Sequence, residues 1–560
     1  MRGWPLAVAL LLAGPGAAAQ APAWQNAVSG STSHNQDAYV LGTVADASGS
    51  VYLVGAFSGT VSLGSATLTS AGVQDGFVAK WSPAANDFVW AKQLGGAYDD
   101  VATAVALSGS SIYVTGSFRS QAAVFGATTL ASAGVEDLFV TKLTDAGSSA
   151  AFDWTQRVGG SSSEAGEAIA VSGPNVYVAG YYVDATFGTT TLPVGSPGNM
   201  FVAKLADAGP TSAFVWAKAA GSYTSYNSVH ALAVSGPNVY LAGFFSGTAT
   251  FGATTLTSAG SYDAVVAKLV DAGPTADFAW AQRAGGPGED RARAIGVQGP
   301  NVYIAGSFEG SAATFGPTTL ASAGRADAFV AKLTDAGSTG SFGWVQQAGG
   351  ADADYAYGLA VAGPNVCVVG EFASRTAAFG PATLAITSPT AFGTDLFVSK
   401  LTDAGATGRF AWTQQAGGPN HTLGHAIALA PGGVVYVGSG VQPPAAFGAW
   451  PVGGLTGTTV VALSSLTDAT LTATATATGL ASLSLFPSPA HGTATVQLPA
   501  VPGAAPATLT VLDALGRPVR TLSTPTNARA VLDLTGLAPG LYAVRVQAGG
   551  STATRRLVVE

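Results

Sequence analysis

Seven positions that fall once per repeat of about 64 residues carry Gly42, Thr103, Glu167, His230, Arg293, Tyr357 and His425. Their neighbours along the chain are nearly constant, so the variation at this one column stands out. Acid, base and aromatic groups placed side by side in a concave site would suit ligand binding or acid–base chemistry. The alternative is a set of solvent-exposed turn residues under little constraint. A second column holds Asp100, Glu164, Asn227, Asp290 and Asp354 beside glycine-rich turns. Carboxylates grouped in this way are calcium candidates, since a hard cation takes several oxygen ligands. Yet no Asp-x-Asp-x-Asp-Gly run occurs, and an Asp or Asn in a tight turn ordinarily caps its own backbone. No cofactor is therefore expected, with calcium at Asp100, Glu164, Asp290 and Asp354 as the open alternative. His421 and His425 stand four apart, a spacing that makes a zinc pair only on a helix. Gly417-Gly418-Pro419 before them and Gly424 between them argue against one. No Gly-x-Ser-x-Gly elbow, phosphate loop or Cys-x-x-Cys pair is present, so nucleophilic and cofactor chemistry have no signal.

The elements that would position the first column follow from the repeat. Tyr52, Tyr113, Tyr177, Tyr240, Tyr303, Cys367 and Tyr436 recur in step with Trp24, Trp90, Trp154, Trp216, Trp280, Trp344 and Trp412. Lys80, Lys142, Lys204, Lys268, Lys332 and Lys400 keep the same period. Within a unit the apolar segments are short, rich in Val, Ile, Phe and Tyr, and bounded by Gly-Pro-Asn, Asp-Ala-Gly or Gly-Gly, which are strand and turn signals. Four strands are predicted per unit, at Ala168–Val171, Val176–Ala179, Met200–Leu205 and Phe214–Lys218 in the clearest copy. Four strands make a propeller blade. The Phe and Trp two apart in the last strand are expected to share one face. The lysines are expected to cover apolar surface with their stems and reach water, and the Asp-Ala-Gly segments at Asp145, Asp207, Asp271, Asp335 and Asp403 read as plain turns.

The final unit lacks its last strand, whereas Trp24, the first landmark, has the character of one. Ala23–Val28 is therefore predicted to complete the blade formed by residues 421–466 and so close the ring. The expected fold is all-β: a seven-bladed β-propeller over residues 20–466, a linker at 467–480 and a small antiparallel β-sandwich at 481–560. The seven variable residues would then line one mouth of the central channel. About 20 residues between the second and third strands, as at Ser307–Ala326, are expected to crown one face.

The run Gly-x-x-Val-Tyr-Val-x-Gly-Ser-Phe, followed by Asp-x-Phe-Val-Ala-Lys and Trp-x-x-x-x-Gly-Gly, resembles the bacterial β-propeller repeats called SBBP. In the tail, Leu485-Phe-Pro-Ser-Pro-Ala490, Val511-Leu-Asp-Ala-Leu-Gly-Arg517, Leu537-Ala-Pro-Gly-Leu-Tyr-Ala-Val544 and Arg555-Arg-Leu-Val-Val-Glu560 resemble the type IX secretion sorting domain. Ser488 stands where that family usually has Asn, and Glu560 where Lys is common. The resemblance implies the type IX machinery as a partner and transit across the outer membrane, to the cell surface or the medium.

Composition agrees with export. Arg2, the apolar run Leu6 to Leu12 and Ala17-Ala18-Ala19 read as a signal peptide over residues 1–19. No stretch approaches the roughly 20 apolar residues of a membrane helix. Six arginines against Asp513, Asp533 and Glu560 give residues 481–560 a charge of +3, which leaves −11 of the total −8 upstream and argues against a nucleic-acid partner. The lone Cys367 stands in a tyrosine column and reads as core filler. The functional expectation is a secreted or surface scaffold that binds polysaccharide or protein without catalysis. The alternatives are a polysaccharide hydrolase or lyase acting at the channel mouth, and a purely structural repeat protein.

Overall fold

The computed structural model describes residues 20–33, 36–195, 197–222, 225–389, 393–471, 483–486, 489–498, 506–513, 517–525, 529–548 and 551–560. The expected signal peptide and most of the expected linker lie outside them. Blade 3 shows the plan. Ala165–Ser172, Asn175–Tyr182, Asn199–Asp207 and Ser212–Ala220 pair in chain order as one antiparallel sheet. Short segments rich in Val, Tyr, Phe and Met, with Gly173 and Gly209 at positive φ in the turns, leave the backbone few alternatives.

Seven such four-stranded units occur among the described residues. Their innermost strands are Ala38–Ala45, Asp100–Ser108, Ala165–Ser172, Ser228–Ser235, Arg291–Gln298, Asp354–Ala362 and Thr422–Ala430. Each packs on the next, and the last packs back on the first. The chain is all-β, in the arrangement of a propeller. Trp24–Ser29 pairs antiparallel with Val460–Thr467, so the N-terminal strand completes blade 7. The ring also runs past residue 466: Asp468 is buried, and Leu471 packs into the core of blades 6 and 7.

Three sequence expectations are corrected, the first in register. In blade 2 Trp154 lies opposite Lys142 and Phe152 opposite Leu143. In blade 7 Asn26 lies opposite Ser465 and Trp24 opposite Leu466, so Trp24 occupies the phenylalanine place. Accordingly its ring meets Phe447 edge-on at 5.1 Å, as Phe214 meets Phe187 at 5.4 Å. The slip carries Trp24 across the bulge, so it packs in the core shared with blade 6, which the spacing of apolar residues alone could not fix. Second, Phe214 and Trp216 face opposite neighbours. A bulge between them turns Trp216 toward the core shared with blade 4, while Phe214 stays in the core shared with blade 2.

The third correction concerns the lysines. Lys204 does not reach water: its Nζ lies 2.7 Å from Asp271 of the next blade, with both side chains 6 % exposed. The same carboxylate accepts from Tyr177 Oη at 2.6 Å, Trp216 Nε1 at 3.2 Å and Gly273 N at 2.9 Å. Equivalent latches join Lys80 to Asp145, Lys142 to Asp207, Lys268 to Asp335, Lys332 to Asp403 and Lys400 to Asp468. Burial alone would raise these carboxyls. Hydrogen bonds from lysine, tyrosine and tryptophan more than offset it and hold Asp145, Asp207, Asp271, Asp335 and Asp403 below the ordinary value. The seam between blades 7 and 1 has no such latch, because Ser465, Asn26 and Pro83 occupy the three places. There Trp81 packs on Tyr436 with ring centroids 5.4 Å apart.

Each insertion between second and third strands contains a hairpin that the sequence pattern did not reveal, as at Thr248–Phe251 with Thr254–Thr257. Several reach back to the preceding blade's fourth strand, where Ala284 pairs with Phe315 and Ala348 with Phe379. The C-terminal unit forms two sheets. One holds Ser484–Phe486, Thr493–Gln497 and Arg529–Asp533; the other holds Ala507–Leu512, Pro518–Thr524, Gly540–Ala548 and Ser551–Val559. They close on a core of Val496, Leu509, Val511, Leu532, Val546 and Leu557. The polar strand Pro518–Thr524 was not foreseen, since most of its residues are exposed and it lacks an apolar face.

Candidate functional site

The variable column lies inside the innermost strands rather than before them. In blades 2 to 7 each of its members is the extra residue of a β-bulge, the pairing shifting around Thr103, Glu167, His230, Arg293, Tyr357 and His425. A bulged residue leaves the ladder and re-aims its side chain. In blade 1 the bulge falls on Leu41 and not Gly42, because the turn before Val51 is one residue longer there than in blade 2. The column is therefore Leu41, Thr103, Glu167, His230, Arg293, Tyr357 and His425.

These residues contact one another's blades around the axis. Thr103 Oγ1 donates to Thr115 O at 3.1 Å and also to Gly166 O of blade 3. His230 hydrogen-bonds the backbone of Ala292 in blade 5, and its ring lies 5.1 Å from Phe244. The Arg293 guanidinium sits 5.3 Å from the Tyr357 ring and 5.7 Å from that of Tyr355. Tyr357 donates to Glu371 Oε1 at 2.7 Å and meets His425 edge-on at 5.3 Å. His425 Nδ1 lies 3.1 Å from Val40 O, across the junction of blades 7 and 1.

All six polar members keep partial contact with solvent yet are enclosed by protein. That enclosure sets their protonation. Burial, followed by the Glu136 charge, pushes the Glu167 carboxyl up to about 7. Burial, followed by Arg293 and Arg291, pushes His230 down to about 3, so its imidazole is neutral at physiological pH. The arcs differ in sign. Glu136 and Glu167 lie on the side of blades 2 and 3, whereas Arg291 and Arg293 project from blade 5. Arg291 stands 4.5 Å over Phe244 and 4.8 Å over Tyr262, and it donates to Glu289 at 3.1 Å.

The second column is wholly buried. Asp100 accepts from Gly96 N at 2.6 Å, Ser120 Oγ at 2.6 Å and Arg119 N at 3.1 Å. Asp354 accepts from Gly350 N at 2.7 Å, Ser374 Oγ at 2.7 Å and Ala373 N at 3.1 Å. Asp290 and Glu164 likewise take backbone N–H groups of their turns, and Asn227 Oδ1 accepts from Ser246 N at 3.2 Å. Backbone donors thus occupy the oxygens that a cation would need, and no group of three or more metal-ligating residues occurs among the described residues. His421 Nδ1 faces Thr394 Oγ1 at 3.2 Å, while His425 turns to Val40, so the two do not converge.

Sequence reasoning missed a third column, Asp75, Asp137, Asn199, Asp263, Asp327 and Asp395, each fully buried at the start of a third strand. It meets the second column in pairs: Asp75 with Asp100 around Gly95, Asp263 with Asp290 around Gly285, Asp327 with Asp354 around Gly349. Burial is the main cause that pushes Asp75, Asp290 and Asp354 up to about 6 and Glu164 up to about 7. The signal was the repeated Asp-x-Phe-Val-Ala-Lys, whose acid looked like part of a strand start. Cys367 is fully buried in a tyrosine place, and burial pushes its thiol up to about 12, so it stays neutral.

Comparison with known proteins gives the tail its identity. Residues 484–560 match the secretion system C-terminal sorting domain. The protein is thereby exported by the type IX route, to the cell surface or beyond, and the sorting tail is the part that meets that machinery. No curated protein matches the chain. Among solved structures, PorZ, described as an essential bacterial surface component of the type IX secretion system of Porphyromonas gingivalis, is 13 % identical over 93 % of this chain and 81 % of its own, with a TM-score of 0.14. No helix among the described residues is long and apolar enough to cross a membrane.

Proposed function

We propose that this exported protein is a binding protein whose propeller takes a polysaccharide or protein ligand at the channel face bearing the bulged residues. The observation that carries the reading is chemical contrast. Six blades repeat the same latch and the same apolar cores, while the bulge position changes from hydroxyl to acid, imidazole, guanidinium and phenol. A bulge takes these side chains off the ladder and re-aims them around the axis, and the concave mouth of a closed ring is the kind of place where ligands sit. The repeats' resemblance to SBBP units supports the ring as the scaffold for that site.

The test is a glycan array and a protein-capture assay on the chain without its signal segment, beside the variant E167A/H230A/R293A/Y357A. Binding lost in the variant supports the reading; unchanged binding removes it. One observation favours the hydrolase alternative as a second reading. Glu167, shifted to about 7 with Glu136 nearby, has the protonation of a general acid. Release of new reducing ends from the same glycans, abolished by Glu167→Gln, would establish catalysis; inertness toward all of them would leave binding alone.

A further inference from the structure

The least satisfied charge in the ring is Arg293. Its Nε is buried with no hydrogen-bond partner, and among the described residues no carboxylate lies within salt-bridge distance of its guanidinium. A guanidinium carries five N–H donors, and enclosing it without an anion is costly. The charged and titratable groups around it are otherwise engaged. Glu371 accepts from Tyr357, Glu289 accepts from Arg291, and His425 bonds the Val40 carbonyl. His230, on the neighbouring blade, bonds the Ala292 backbone. What remains is a planar cation framed by the Tyr355 and Tyr357 rings, which stand 6.1 Å apart with their planes 36° from parallel.

This combination specifies a ligand chemistry. The guanidinium fork matches a carboxylate in two parallel hydrogen bonds. Partly exposed aromatic faces offer flat apolar area of the kind that a pyranose C–H face covers, without the closed pocket that an apolar peptide side chain would fill. The strongly acidic field of the rest of the chain disfavours a dense polyanion but leaves room for a single seated acid group.

We propose that Arg293, framed by Tyr355 and Tyr357, is a subsite for the carboxylate of a uronic-acid residue in a glycan. The proposal rests on the reading of the bulge ring as the ligand face and names the acid sugar that part of it selects.

The experiment is calorimetric titration of the signal-free chain with trimers of galacturonate, mannuronate and guluronate, the methyl ester of whichever trimer binds, and maltotriose. At least one acid trimer is expected to bind ten-fold or more tighter than its ester and than maltotriose. Arg293→Met is expected to erase that preference, and Arg293→Lys, which keeps the charge but not the fork, to restore only part of it. Thermal melts of both variants within about 2 °C of the parent would show that the change is local. Equal binding of acid and ester, or an Arg293→Met variant that keeps the preference, overturns the subsite while leaving the ligand face intact. Failure of every trimer to bind overturns the subsite too, and the array comparison with the quadruple variant then decides separately whether the ring binds anything.

Discussion

Replacing Asp335 by asparagine exchanges one carboxylate oxygen for an amide and leaves the outline of the side chain unchanged. In the protein Asp335 accepts from Lys268 Nζ at 2.7 Å, Tyr240 Oη at 2.7 Å, Trp280 Nε1 at 3.0 Å and Gly337 N at 2.9 Å. Lys268 is 4 % exposed at the side chain, so D335N leaves an ammonium buried without its counter-charge. Removing one partner of a buried pair costs about 3–5 kcal/mol. Unfolding entropy of about 2.1 cal/mol/K per residue over roughly 450 ring residues gives about 0.9 kcal/mol/K, so the melting midpoint should fall by about 3–5 °C. Thermal unfolding followed by circular dichroism at pH 7 is the assay. D277N serves as control, because the Lys218–Asp277 pair spans 3.5 Å with Asp277 85 % exposed, and it should move the midpoint by less than about 1 °C. Adding Lys268→Met to D335N removes the orphaned charge and should recover at least half of the loss. A D335N midpoint equal to that of D277N, or a double variant less stable than D335N, would refute the buried-charge account.

Stability should also respond to pH in two opposite ways. The raised carboxyls Asp75, Asp290, Asp354 and Glu164 contribute stability that is complete below their unfolded values near 4 and is lost as pH climbs through about 6 to 7. The depressed latch aspartates contribute stability present above their unfolded value and lost as pH falls through the lower folded one. The melting midpoint is therefore expected to peak near pH 4–5, with lower values at pH 8 and at pH 2; a flat or rising profile from pH 5 to 8 would count against the paired-carboxyl reading. At the seam without a latch, Trp81→Ala should cost about 3–5 kcal/mol, and hydrogen exchange should quicken first in blades 7 and 1. Deleting residues 20–30 strips the fourth strand from blade 7 and bares the edge of Val460–Thr467, so size-exclusion chromatography should reveal association that the parent lacks.

How much of this was legible in the sequence can be traced residue by residue. The closing strand was visible because Trp24 and the truncated last unit are complementary fragments, yet its register was misplaced by two. The lysine and aspartate columns were visible as columns. Their union was not, since the partners lie one blade apart, 65 to 71 residues along the chain from Lys80–Asp145 to Lys332–Asp403. In the candidate site, the repeat spacing coincides with the bulge residue in blades 2 to 7, although inside the strand and not before it, and misses it in blade 1, where the turn after Ala45 is longer. The bulges went unseen because one extra residue in a short strand resembles a shifted strand start.

Local pattern determined the class of fold, the number of repeats and the sorting tail, because strand alternation, turn residues and short motifs act over a few positions. Tertiary structure decided which groups are paired and which are left over. Six lysines became buried latches, two columns of acids met at the blade interfaces, and Arg293 remained without an anion among the described residues. Those outcomes depend on closing the ring, which brings together side chains from different repeats in a low-dielectric interior where an unmatched charge is costly.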